Sequence, residues 1–125
     1  MKREIKFRAY HKERKEIFEI ASIDFEEKKA ALSNGIIKLL NVNFKQFELL
    51  QYTGAKDKNG KEIYEGDVVK LVHFKDGRKK ETGKVIFLHS QAGFGIIDRD
   101  GNEYPLFRNT AKQIEIIENI QENKR

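Results

Sequence analysis

Apolar and polar residues alternate with a period of two along much of this 125-residue chain, and Gly, Asn and Asp repeatedly interrupt the alternation. That period predicts strands with one buried face, separated by tight turns. Ile5, Phe7 and Ala9 alternate with Lys6, Arg8 and Tyr10, and the polar run His11 to Lys15 turns the chain. Ile17, Phe18, Ile20, Ile23 and Phe25 mark a second strand across Glu16 to Phe25. Two readings of the next residues stand side by side. Asp24 can cap a short helix with Glu27 reaching back, since Glu26 to Leu32 is rich in helix formers. Equally, Glu26 to Lys29 can turn a hairpin between Phe25 and Ala30-Ala31-Leu32. Asn34-Gly35 is a strong turn signal, and Ile36 to Leu40 reads as strand or as a buried turn of helix.

Leu50 to Leu71, LQYTGAKDKNGKEIYEGDVVKL, holds the densest turn chemistry. Leu50 and Tyr52 alternate with Gln51 and Thr53 until Gly54 interrupts. Asp57, Asn59 and Gly60 then supply short side chains that bond nearby backbone and a residue free to take positive φ. Ile63 and Tyr64 return to the core. Glu65-Gly66-Asp67 reverses the chain again into the β-branched run Val68 to Val72. Farther on, Asp76-Gly77 reads as a hairpin loop within Phe74 to Lys80, followed by a strand at Gly83 to Leu88. Phe94 to Asp98 and Glu103 to Phe107 flank the turn Arg99 to Asn102, and a last strand covers Ile114 to Glu118. Pro105 lacks a donor, which predicts an edge or a strand end. Five short strands after Val68 match the count of a small barrel, with Ile63, Val68, Val85, Phe87, Ile96 and Ile116 as its expected core.

The stretch of Tyr-Thr-Gly, Lys-Asp-Lys-Asn-Gly-Lys-Glu-Ile-Tyr-Glu-Gly-Asp and Val-Val resembles the signature of the YopX-like family, small proteins of bacteriophages and prophages. Arg3 to Tyr10 is similar to that family's first strand, with Tyr10 where Trp is often found, and Ile114 to Ile120 to its last; residues 16–49 match loosely. Tyr52, Gly54, Asp57, Gly60, Gly66 and Asp67 carry the signature. The resemblance implies a phage-related origin and a mainly β fold: an SH3-like β-barrel over residues 50–120, an N-terminal β extension over 1–49 with a possible short helix, and a polar tail at 121–125. Together these make a single domain. For residues 24–32 the family pattern favours the hairpin. No catalytic residue is carried over.

Composition narrows the function further. With 38% hydrophobic and 36% charged residues, few positions are left to build the core and the surface is highly charged. The absence of cysteine excludes disulfides, thiolate metal sites and a cysteine nucleophile, and fits a cytoplasmic protein. No apolar run reaches the length of a membrane span or a signal segment, so no membrane association is expected. The net charge of +5 favours acidic partners only mildly, since 20 acidic residues offset 25 basic ones.

Four constellations could carry chemistry. Asp98 to Asn102 has the alternating oxygens of a calcium loop but lacks the downstream carboxylate, so a plain hairpin turn is the simpler reading. Asp57, Glu62, Glu65 and Asp67 could hold a divalent ion for phosphodiester chemistry, yet Lys56, Lys58 and Lys61 interleave with them. His11, His73 and His89 share no ligand spacing, and Ser22, Ser33 and Ser90 lack a nucleophile context. Lys75, Arg78, Lys79, Lys80 and Lys84 form a basic segment that could neutralise phosphates, against the alternative of an ordinary solvated loop. Lys2, Arg3, Lys6 and Arg8 are the fallback site. The expectation is a non-enzymatic interaction module that meets a protein partner or forms a homo-oligomer, without cofactor. A nucleic-acid-binding accessory using the basic loop is the alternative, and a metal-dependent enzyme a weaker one.

Overall fold

A computed structural model describes residues 4–72, 80–107, 111 and 113–119. Among them the elements are eleven strands and one short 3-10 turn. In chain order the strands are β1 (Phe7–His11), β2 (Glu16–Asp24), β3 (Lys29–Ser33), β4 (Lys38–Asn43), β5 (Phe47–Lys56), β6 (Glu62–Tyr64), β7 (Asp67–Val72), β8 (Lys80–Leu88), β9 (Gly93–Asp98), β10 (Glu103–Pro105) and β11 (Glu115–Asn119). They form two antiparallel sheets, ordered β4-β3-β2-β1-β5-β6 and β10-β9-β8-β7-β11.

Turn chemistry places the hairpins. Asp24 caps the reversal between β2 and β3, its Oδ1 accepting from the Glu26 and Glu27 amides, each at 3.0 Å. The capping signal was therefore genuine, but what it caps is a tight turn, closed by Lys28 at φ 57°. Asn34 Oδ1 likewise accepts from Ile36 and Ile37, at 2.9 and 2.7 Å, and Gly35 takes φ 87°. The run after that turn is strand. The 3-10 turn Phe44–Gln46 carries a capping box, with Asn43 Oδ1 accepting from Lys45 N and Gln46 Oε1 from Asn43 N.

Among the described residues there are two hydrophobic clusters, one within the six-stranded sheet and one that joins β5 and β6 of that sheet to the five-stranded sheet. The first buries Ala9, Phe18, Ala30, Leu32, Val42 and Phe47. The second buries Ala55, Ile63, Val69, Val85, Ile96, Ala111 and Ile114, with Leu106 and Ile116 packed against it. Of the expected core, Ile63, Val85 and Ile96 are buried here and Ile116 packs on them. Val68 is a correction: Val69 is fully buried in its place. Asp67 points inward to cap the Tyr64 amide at 2.8 Å, and period-two alternation then sends Val69 inward. Phe87 is also corrected, being 39% exposed. It shares the parity of Val85 but sits beyond the core, edge-on to Phe94 and His89 at 5.5 and 5.2 Å. The first strand differs as well, since Ile5 is exposed while Tyr10 and His11 are buried beside Ala9. β1 lies inside the six-stranded sheet, paired with β2 and β5.

Among the described residues, strand ladders do not close the barrel expected over residues 50–120. β5 pairs with β1 and β6 in the first sheet, while β7 to β11 form the second. The expected boundary at 49/50 falls inside β5. The two sheets are instead joined by single bonds: Gly66 N donates to Val85 O at 2.9 Å and Lys58 N to Ile114 O at 3.0 Å. Pro105 ends β10, the outermost strand of its sheet, where its missing donor breaks no ladder.

Gly95 in β9 is fixed by packing. A Cβ there would strike the Leu88 side chain and lie 2.7 Å from the Tyr104 carbonyl oxygen, which belongs to the neighbouring strand and cannot swing away. Gly95→Ala is expected to destabilise by about 1–3 kcal/mol in chemical denaturation, as overpacking does. The control Gly93→Ala, whose Cβ would meet only Gln91 O at 3.8 Å, should stay within about 0.5 kcal/mol of the wild type.

Candidate functional site

Four of the signature residues, Tyr52, Gly54, Asp57 and Gly60, lie in β5 and the turn that follows it, while Gly66 and Asp67 form the next turn, between β6 and β7. Asp57, 4% exposed, accepts from the Asn59 and Lys61 amides through Oδ1 at 2.8 and 2.9 Å. Its Oδ2 accepts from Ile116 N in β11 at 3.0 Å. Gly60 at φ 81° lets the chain close, with Asp57 N donating to Lys61 O at 2.8 Å. Burial alone would raise the pKa of this carboxyl, but the amides of Ile116, Lys61 and Asn59 outweigh it and hold the pKa below the ordinary value near 3.8. Gly54, at φ 88°, sits in a bulge of β5 between Tyr52 and Lys56. Tyr52, Gly54, Lys56, Asp57, Lys58 and Gly60 line a shallow groove of about 520 Å³.

Asp98-Arg99-Asp100-Gly101-Asn102 repeats this turn. Asp98 Oδ1 accepts from the Asp100 and Asn102 amides, each at 2.9 Å, and Gly101 takes φ 83°. Oδ2 accepts from Asn102 Nδ2 at 3.2 Å and the Tyr104 hydroxyl at 3.0 Å. Here too burial raises the pKa but is outweighed, chiefly by the Asn102 amide and side chain, so the pKa lies low. Both carboxylate oxygens of Asp98, the first position of the resembled calcium loop, are thus used by four protein donors.

The other acidic group is dispersed in the same way. Glu62 pairs with Lys6 at 2.8 Å, Glu65 Oε1 accepts from Gln51 N at 3.0 Å, and Asp67 caps Tyr64. Among the described residues, no three His, Asp or Glu side chains come together as metal ligands. His11 is buried, its Nδ1 accepting from Arg14 N at 3.1 Å, and His89 is exposed; His73 lies outside the described residues.

Of the basic segment, Lys75, Arg78 and Lys79 lie outside the described residues. Lys80 opens β8, and Lys84 is half-buried farther along it, paired with Val68 and Ile97. The fallback site is already engaged at its described end. Lys6 bonds Glu62 and Glu4, which together push its pKa up. Arg8 lays its guanidinium 4.0 Å from the centre of the Tyr64 ring, a cation–π stack, with Nε 3.4 Å from Glu19 but not aligned for a hydrogen bond. Tyr64 is buried against Tyr52, and that burial raises its pKa. Lys2 and Arg3 lie outside the described residues.

The sequence reading overlooked the far end of the first sheet. Phe25 is 69% exposed, Leu40 65% and Ile36 91%. Phe25 and Leu40 line a groove of about 620 Å³ together with Ser22, Ala30 and Ala31. The available signal was Phe25 itself, an aromatic amid the charged run Asp24 to Lys29.

The fold is that of an antiparallel two-sheet β protein whose signature residues build turns. The chain belongs to the YopX family: the family model, described as YopX protein, matches residues 6–125. The crystal structure of protein EF1440 from Enterococcus faecalis has the same fold, with a TM-score of 0.64 over 99% of this chain and 98% of that one, at 21% identity. No curated protein matches. Among the described residues, no helix is long and apolar enough to cross a membrane.

Two tests follow from the turns. Gly66 is buried at φ 87°, where an alanine methyl is strained, so Gly66→Ala should cost about 1 kcal/mol or more in chemical denaturation. The lowered pKa of Asp57 implies stabilisation that is complete above the unfolded value near 3.8 and is lost as pH falls through the folded value. Asp57→Asn, which sets an amide against backbone donors, should cost roughly 1–3 kcal/mol at neutral pH and flatten the stability profile below about pH 4. An unchanged acid limb in the variant would remove Asp57 as its source.

Proposed function

We propose that the protein is a non-enzymatic interaction module that works through contacts with protein, further copies of itself included, and that the β2–β3–β4 end is its contact face. The observation that carries this reading is the pair of exposed apolar side chains, Phe25 and Leu40, lining one groove whose rim also carries the charged Asp24, Glu27 and Lys29. Apolar area left in water marks a surface that gains by being covered. Phe25 is also pre-ordered. Its ring stands edge-on to Phe44 at 6.0 Å, and Phe44 edge-on to the buried Phe47 at 5.7 Å, so less side-chain freedom is lost on contact. β4 ends its sheet, but a bulge with Asn41 at φ 54° twists that edge. Side chains rather than an added ladder therefore supply the contact.

The family signature and the lack of cysteine support a phage or prophage accessory protein acting in the bacterial cytoplasm. An SH3-like description of residues 50–120 is supported by their shared core, which includes Ala55, Ile63, Val69, Val85 and Ile96. The metal-dependent alternative has less support, because Asp57, Glu62, Glu65 and Asp67 each already face a protein donor.

Light scattering on wild type and on Phe25→Ser/Leu40→Glu tests the contact face. Wild type should be larger than one chain and the variant should be monomeric, with melting temperatures nearly equal because both positions are exposed. An oligomer that survives the double substitution would put the contact elsewhere. A wild-type monomer removes self-association, and affinity capture from host cells with both proteins then decides whether the face holds another partner.

A second reading, nucleic-acid binding through Lys75, Arg78, Lys79, Lys80 and Lys84, is favoured by how the charges are distributed. Asp57, Asp67 and Asp98 are buried, which leaves the surface more cationic than the net charge of +5. Replacing Lys75, Arg78, Lys79 and Lys80 by Gln should lower the log–log salt slope of duplex binding by roughly 3 to 4, at about 0.9 per phosphate contact. Failure of wild type to bind duplex or single strands at low salt would discard this reading.

A further inference from the structure

We draw no further inference here: the strongest candidate, the groove between the β2–β3 turn and the bulged edge strand β4, belongs to the contact face already described, and nothing in the structure shows what covers it.

Discussion

One buried carboxylate ties the β5–β6 turn to the second sheet, beside two backbone bonds and the apolar cluster that the sheets share. Asp57 gathers two amides of its own turn and one from a strand 59 residues away. The carboxylate itself is buried, and those three amides supply the donors that its oxygens need away from water. The arrangement explains why both turns begin with Asp and carry Gly three residues on. The short carboxylate reaches the amides two and four residues on, and glycine supplies the positive φ that brings them round. Asp98 makes the local half of the same construction and spends its second oxygen within its own hairpin, on Asn102 and Tyr104. One sequence pattern thus yields a purely local turn in one place and a long-range tie in the other.

That contrast shows what a sequence reveals here and what it conceals. Hairpins were legible because Asn34-Gly35, Asp57 to Gly60 and Asp98 to Gly101 each write their turn chemistry into adjacent residues. Pro105 declared an edge for the same local reason. Facing was harder to read. Between Val68 and Val69 the run is equally apolar, and the choice was made by Asp67, whose inward direction depends on the Tyr64 amide across a turn. Barrel closure was illegible, since strand counts give no account of which edges meet. Whether Asp24 capped a helix or a turn was also undecided by propensity, and strand pairing with β3 decided it.

Charge is divided between interior and surface. Asp57, Asp67 and Asp98 go inside, where backbone amides satisfy them, whereas Asp24 and Asp100 stay exposed; Arg8 lies along the Tyr64 ring. Lys6 and Arg8 looked like free base in the alternating pattern of the first strand. Their pairing with Glu62 and Glu19 joins positions 56 and 11 residues apart, a link that no local window contains.

β5 begins with Phe47 in one hydrophobic cluster and reaches Ala55 in the other. A strand shared in this way acts as a common beam. Backbone opening that detaches it from β1 strips Phe47 from the first cluster and loosens the anchorage of Asp57 in the second. Amide protons of β5 should accordingly exchange with solvent last, and a cut at residues 49 and 50 would yield two fragments that each lack part of their own interior.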